Sequence, residues 1–322
     1  MIIDEILNNA NSAAIFGHVR PDGDCVGSTL ALYNYIRENT PNIKVDIFLE
    51  PFPASYRLLK GVDSIQNVYK NNEATPPYDV AFLLDTPTFE RVGANGTECI
   101  KNARKSVNID HHASNPLNLC DVNIVESGAS SASELLFTQL DKSKISKDSA
   151  NCIYLGIVHD TGAFKFSCTG KRTMQIVGDL IDKGIDFAKI INDTYYTRTF
   201  TQTLVTGFIM QNCKLALDGK LVYSIIDEET MNKFGATPID LSNVIDVIRE
   251  VEGTEVAVFL YPVNGYYKMS LRSNYVVDVN AIAKVFGGGG HIRAAGGNAS
   301  MPPEHTIDKI IRLVDEQLSK LS

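Results

Sequence analysis

Three short apolar runs in the first half of this chain each stop on an ionisable residue. "AAIFGH" ends at His18, "YDVAFLLD" at Asp85 and "SVNID" at Asp110. A run without polar alternation suits a strand buried on both faces, and such strands belong to parallel sheets. "VDIFL" is a further strand candidate, and "VGSTLALYNYI" carries apolar residues at helical spacing from Gly27-Ser28 onward. Ser131-Ala132-Ser133-Glu134 reads as a capping box, followed by the stripe Ala132, Leu135, Leu136 and Leu140. A second stripe joins Ala150, Ile153, Tyr154, Ile157 and Val158, and its helix ends at Asp160. The alternation predicts an α/β domain with a parallel sheet and right-handed crossovers.

After residue 192 the texture changes. "DTYYTRTFTQTLVTGFIMQN" is rich in threonine and aromatics and reads as a connecting segment over 193–212. Beyond it come a hairpin around Asp218-Gly219 and a helix near 239–250. Strands "EVAVFLYP" and "GYYKMSLRS" follow, then helices near 278–286 and 306–321. In "YYKMSLR", Tyr267, Met269 and Leu271 take one face and Lys268, Ser270 and Arg272 the other. With 322 residues the chain has room for two domains. The expected division is an α/β domain over 1–192 and a smaller α+β domain over 213–322.

Open α/β sheets place functional groups at the carboxyl ends of their strands. Here those ends carry His18, Asp85 and Asp110, and the loops after them add Asp22, Asp24, His111 and His112. Histidine with aspartate and no thiolate suits a borderline-to-hard divalent cation. The set exceeds what one ion needs, and a shared carboxylate can bridge two ions about 3.5–4 Å apart. Asp160 stands at a helix C-terminus, whose negative end also favours a cation. "PDGD" alone suits a solvated turn, and "DHH" or "HDTG" alone carries little. Their conjunction at element ends is what points to metal chemistry, because burying these acids without cations costs several kcal/mol per charge.

"GHVRPDGDCVGS", "LLDTP", "NIDHHASN" and "GIVHDTGAFKFS", in this order, resemble the four motifs of the DHH family of phosphoesterases. "FGGGGHIRAAGG" is similar to the glycine-rich signature of the DHH-associated C-terminal domain. The likeness covers nearly the whole chain. It implies a binuclear, usually Mn²⁺-dependent enzyme, with Mg²⁺ or Co²⁺ as alternatives, and an active-site cleft between two domains. It implies that His18, Asp22 and Asp85 hold one ion, and that Asp24, Asp85, His111 and Asp160 hold the other. Asp110 would orient a histidine, and His112 would face the substrate phosphate. Arg272, Gly288, Gly289, Gly290 and His291 would bind the far phosphate or nucleotide. The residue before "DTG" is often threonine in this family and here is His159, whose role the sequence leaves open, as it does that of Arg293.

A stand-alone two-domain chain of this length is most like the NrnA-type nanoRNase and pAp-phosphatase branch. The resemblance then implies hydrolysis of RNA oligomers of a few nucleotides and removal of the 3′-phosphate of pAp. A cyclic di-AMP or pApA phosphodiesterase is the alternative, and a catalytically silent nucleotide sensor a third, less favoured for a chain with all the expected ligands. The net charge of −8 argues against a groove for long duplex nucleic acid but leaves a short phosphorylated substrate open. No apolar stretch approaches a membrane span, and "MIIDEILNNANSAA" lacks the basic start of a secretory signal. The six cysteines form no C-x-x-C pair, which fits reduced thiols in the cytoplasm. Cys25, inside the first motif, is expected to pack and not to ligate. Homodimers are common for such folds.

Overall fold

The computed structural model describes residues 2–67, 77–241, 243–299 and 302–320. The chain divides into two compact units between Thr197 and Arg198. In the first unit the strands are β1 (Ser12–Phe16), β2 (Lys44–Phe48), β3 (Ile65–Gln66), β4 (Val80–Leu84), β5 (Lys105–Asp110) and β6 (Val122–Val125). The helices are α1 (Ile2–Leu7), α2 (Gly23–Asn39), α3 (Gly93–Asn102), α4 (Ala132–Gln139), α5 (Lys147–Asp160), α6 (Lys171–Asp182) and α7 (Phe187–Ile191).

All six strands run parallel in the order β3-β2-β1-β4-β5-β6. The order reverses between β1 and β4, and the crevice beyond such a reversal is where open α/β sheets bind ligands. Both faces of the sheet are covered. Ala13, Ile15, Phe82 and Ile109 pack into the core with α2, α4 and α5. Ala14, Phe16, Ala81 and Leu83 face the opposite way, toward α3. Every residue of β4 is buried, which is why its sequence shows no alternation. Helices α2 and α5 meet closely through glycine: a Cβ on Gly27 would stand 2.6 Å from the Cys152 carbonyl oxygen.

The second unit contains β7 (Lys214–Ala216), β8 (Leu221–Ile225), β9 (Val256–Val263), β10 (Tyr266–Ser273), β11 (Gly289–His291) and β12 (Ala294–Ala299). Its helices are α8 (Phe200–Gln211), α9 (Glu228–Phe234), α10 (Val244–Ile248), α11 (Val279–Lys284) and α12 (Pro303–Ser319). The sheet is mixed, ordered β11-β12-β10-β9-β8-β7, with β8 and β9 parallel. Met269 and Leu271 face the core beneath α11 and α12, as the alternation in β10 requires. Phe259 and Tyr261 face the other way, toward α8 and α10.

Three sequence expectations change here. The segment 193–212 is more than a connector: α8 buries Val205 and Ile209 in the second unit's core. Thr199 accepts from the Gln202 N–H while the Gln202 side chain accepts from the Thr199 N–H, a reciprocal cap that starts α8. The helix expected near 239–250 is a 3₁₀ turn, Pro238–Leu241, followed by α10, with residue 242 outside the described residues. The helix expected over 306–321 is α12, which begins at Pro303, and residue 321 lies outside the described residues. The glycine-rich segment, given no secondary structure by the sequence reading, joins the sheet. Gly287, at φ +71°, follows α11, and β11 then pairs antiparallel with β12. The pairing needs glycine, since a Cβ on Gly288 would meet the Gly296 carbonyl oxygen at 2.2 Å.

Candidate metal centre

The loop after β1 brings three ionisable groups to the sheet's reversal point. His18 is 3 % exposed, and its Nδ1 lies 2.9 Å from the Val19 carbonyl oxygen. That contact favours a proton on Nδ1, the tautomer whose Nε2 lone pair would ligate a metal. His18 Nε2 lies 3.3 Å from Asp85 Oδ2 and 3.7 Å from Asp22 Oδ1. Asp22 caps α2, accepting from the N–H groups of Asp24 and Cys25 at 3.1 Å each. Asp24 is fully buried, and its carboxylate accepts from the N–H groups of Ala132 at 2.6 Å and Ser133 at 3.0 Å. Those are first-turn amides of α4, where a helix favours negative charge.

Asp85, just past β4, has φ +52°, a left-handed conformation that a non-glycine residue adopts only under constraint. Its N–H stays tied to the Ile109 carbonyl oxygen at 2.9 Å. The turn aims its carboxylate between two histidines, with Oδ2 toward His18 and Oδ1 3.4 Å from His111 Nε2. Oδ1 is buried and has no hydrogen-bond partner among the described residues. Such an orphaned carboxylate oxygen fits a site built for a cation. His111 Nε2 also lies 2.9 Å from Asp160 Oδ2, at the end of α5, and 4.0 Å from Asp24 Oδ2.

The electrostatics agree. Burial alone would lower His111, but the carboxylates of Asp160 and Asp85 beside it raise it to about 12. Burial also acts upward on Asp85, yet His111 and His18 together bring it well below the usual carboxylate range. Asp24 is pushed far upward, by burial first and then by the like charges of Asp85 and Asp160. Burial raises Asp160 to about 6 against the pull of His111. Acids so crowded and desolvated require compensating positive charge.

Among the described residues, three groups bring their ligand atoms within 4.8 Å of one another: His18, Cys25 and Asp85; Asp85, His111 and His112; Asp24, His111 and Asp160. Asp85 belongs to two of them, Asp22 to none, and His112, expected to face the substrate, to one. Cys25 is fully buried and its Sγ accepts from the His18 N–H at 3.3 Å. Burial raises its thiol and keeps it protonated, which disfavours ligation and fits a packing role. His112 turns Nδ1 to Asp110 Oδ1 at 2.7 Å.

Other residues escaped the sequence reading. Asn115 donates to both Asp110 Oδ2 and Asn108 Oδ1 at 2.7 Å, and Asn108 donates to the carbonyl oxygens of Leu83 and Thr86. A polar Asn108 inside an apolar run, and Asn115 at the end of "NIDHHASN", were the available signals. The capping box is also only half formed. Ser131 accepts from the Glu134 N–H, but the Glu134 carboxylate turns to Ser130, Thr173 and Arg172, each at 2.6 Å.

The residues expected to hold the far end of the substrate lie in the second unit. Arg272 and His291 both stand level with Ala294, on either side of β12. Arg272 Nε donates to Asp246 Oδ1 at 3.0 Å, so the guanidinium is already part of an ion pair. Gly289, Gly290 and His291 are exposed and Gly288 is half-buried. Arg293, open in the sequence, donates to Ser273 Oγ and the Val277 carbonyl oxygen.

Comparison with known proteins locates the same two regions. Residues 12–157 match the DHH family, N-terminal domain, and residues 218–320 match the DHHA1 domain. A bifunctional oligoribonuclease and PAP phosphatase, NrnA, of Bacillus subtilis is 30% identical over 301 residues, covering 91% of this chain and 90% of that protein. The cyclic-di-AMP phosphodiesterase PdeA of Listeria monocytogenes is 24% identical, over 91% of this chain but only 45% of its own length. Among solved structures, an exopolyphosphatase-related protein from Bacteroides fragilis superposes with a TM-score of 0.90 at 26% identity, covering 98% of this chain and 95% of that one.

Proposed function

We propose, from the premise that this chain belongs to the DHH family of phosphoesterases, that it hydrolyses short RNA oligonucleotides and the 3′-phosphate of pAp. The observation that carries the metal chemistry is the buried, unpartnered Oδ1 of Asp85, aimed between residues of two ligand groups. The substrate class rests on the likeness to the B. subtilis enzyme over nearly the full length of both chains.

His18, Asp22 and Asp85 would hold one divalent ion, and Asp24, Asp85, His111 and Asp160 the other. Imidazole and carboxylate donors, with the Cys25 thiol kept protonated by burial, suit Mn²⁺. Two such ions supply a water activated near neutral pH and positive charge for the phosphoryl group. The chain's own residues do the remaining work. Asp110 fixes the ring of His112, whose other nitrogen, when protonated, donates to a phosphoryl oxygen. The amides of α4 hold Asp24 in place before any ion arrives, so little reorganisation accompanies binding. Arg272, His291 and the backbone of Gly288–Gly290 would grip the far end of a short substrate.

The test offers the purified chain pAp, pApA, cyclic di-AMP and a five-nucleotide RNA in the presence of Mn²⁺. Turnover of pAp and the RNA ahead of cyclic di-AMP is the expected result. Cyclic di-AMP hydrolysed far ahead of the others would replace this reading with that of a cyclic-dinucleotide phosphodiesterase. Bound metal with no hydrolysis of any would leave a nucleotide sensor.

A further inference from the structure

We propose that Tyr56 and His159 form a positioning pair for the metal centre, seating an imidazole on the Asp22-Gly23-Asp24 turn and fixing that turn against the end of α5. The inference rests on the binuclear reading of the site. A Cβ built on Gly23 would stand 2.1 Å from Cγ of His159 and 2.3 Å from its Cδ2, so the ring lies directly on the Gly23 backbone. Gly23 separates two of the expected ligands, and His159 immediately precedes a third, Asp160. One ring contact therefore joins the β1 loop to the α5 terminus.

The ring is itself held from outside the motifs. The Tyr56 hydroxyl lies 3.1 Å from His159 Nε2, with the two rings edge-to-face at 5.2 Å between centroids. Tyr195 packs edge-on against the same imidazole at 5.7 Å. Tyr56 belongs to the 3₁₀ turn Ala54–Leu58 and Tyr195 to the π-turn Asn192–Tyr196; neither carries an expected ligand. Tyr56 is 4 % exposed, and a buried hydroxyl keeps a hydrogen-bond partner, so swinging His159 away would leave that hydroxyl unsatisfied.

The tie matters because the Asp22 side chain is 55 % exposed. Its position is set by the turn that carries it, through the amides of Asp24 and Cys25, while the like charge of Asp85 opposes it. A turn clamped by His159 cannot relax outward. Groups that hold a metal ligand in place typically contribute about 10–100-fold in metal affinity.

The test compares the EDTA-stripped full-length chain with its Tyr56→Phe, His159→Ala and Gly23→Ala variants. Mn²⁺ affinity is read by calorimetry, thermal stability without metal by Tm, and pAp turnover at saturating Mn²⁺ by steady-state kinetics. His159→Ala is expected to weaken Mn²⁺ binding by about 10–100-fold. Tyr56→Phe should act in the same direction by less. The metal-free Tm should stay within about 3 °C, and kcat should recover when Mn²⁺ saturates. Gly23→Ala, which drives the ring off the turn, should weaken Mn²⁺ binding too, but add nothing to a chain already carrying His159→Ala. Unchanged Mn²⁺ affinity with a lowered Tm would make the pair ordinary packing and overturn the proposal. A raised KM for pAp at unchanged Mn²⁺ affinity would make His159 a substrate contact and overturn it equally. A wild-type chain that binds no Mn²⁺ would remove the binuclear reading itself.

Discussion

Asp85 concentrates the argument in one side chain. Its left-handed backbone is the cost of turning a carboxylate between His18 and His111, and its Oδ1 gains no hydrogen bond in return. Asp85→Asn keeps the shape and removes the bridging charge. Loss of several kcal/mol of stabilisation at the reacting group corresponds to a fall in kcat/KM of about 10³-fold or more. Calorimetry should show fewer than two Mn²⁺ bound, with the far-ultraviolet circular dichroism unchanged. Glu134 gives a prediction of a different kind. It is 1 % exposed, and hydrogen bonds from Ser130, Thr173 and Arg172 outweigh burial and hold its carboxyl below the usual range. A depressed folded-state value means that stability is present above the unfolded value of about 4.3 and lost as pH falls through the folded one. Glu134→Gln should therefore cost about 2–3 kcal/mol at pH 7. Urea titrations at stepped pH should show the gap to wild type closing below about pH 4.

At the scale of elements, the legible parts were those whose pattern comes from burial on fixed faces. β1, β4 and β5 announced themselves because two covered faces leave few polar positions, and Asp85 and Asp110 stood out because each ends such a run. Asn108 did not, since its reason for being buried is a bond to Asn115 across a turn. Nor did the 3₁₀ turn with Tyr56, the π-turn with Tyr195, or β11, where glycine erases the strand pattern. One local feature was invisible for a conformational reason. Gly162, Ala163 and Phe164, directly after Asp160 and Thr161, all lie in the left-handed region, at φ +57°, +56° and +69°. Only the first has a residue suited to it. Ala163 bears strain of about 1–2 kcal/mol, against a chain-entropy gain of about 0.4–1 kcal/mol that glycine would forfeit. Ala163→Gly is thus expected to stabilise the chain by about 0.5–1 kcal/mol, measured by urea denaturation. A loss of stability would mean that the turn is not strained.

For the whole molecule, the decisive quantity is the charge assembled at the sheet's reversal point and what neutralises it. Without metal, the pocket holds protons that an unfolded chain would release. His111 is raised to about 12, Asp160 to about 6 and Asp24 well upward. Each raised group binds more protons folded than unfolded over part of the range above about pH 4, so its contribution to metal-free stability declines as pH rises there. Asp85, depressed, acts in the opposite sense but only below about pH 4, where unfolded aspartates still titrate. Divalent ions displace these same protons, so their binding strengthens with pH. The two trends diverge. The Tm difference between Mn²⁺-loaded and EDTA-treated protein should widen steadily from about pH 5 to pH 8. At metal concentrations about 100-fold above Kd it should correspond to about 2.7 kcal/mol for each site. A difference that stayed flat across that range would mean that cations do not replace protons among these side chains. A chain of net charge −8 would then lack metal cations at the reversal point with which to admit a phosphate.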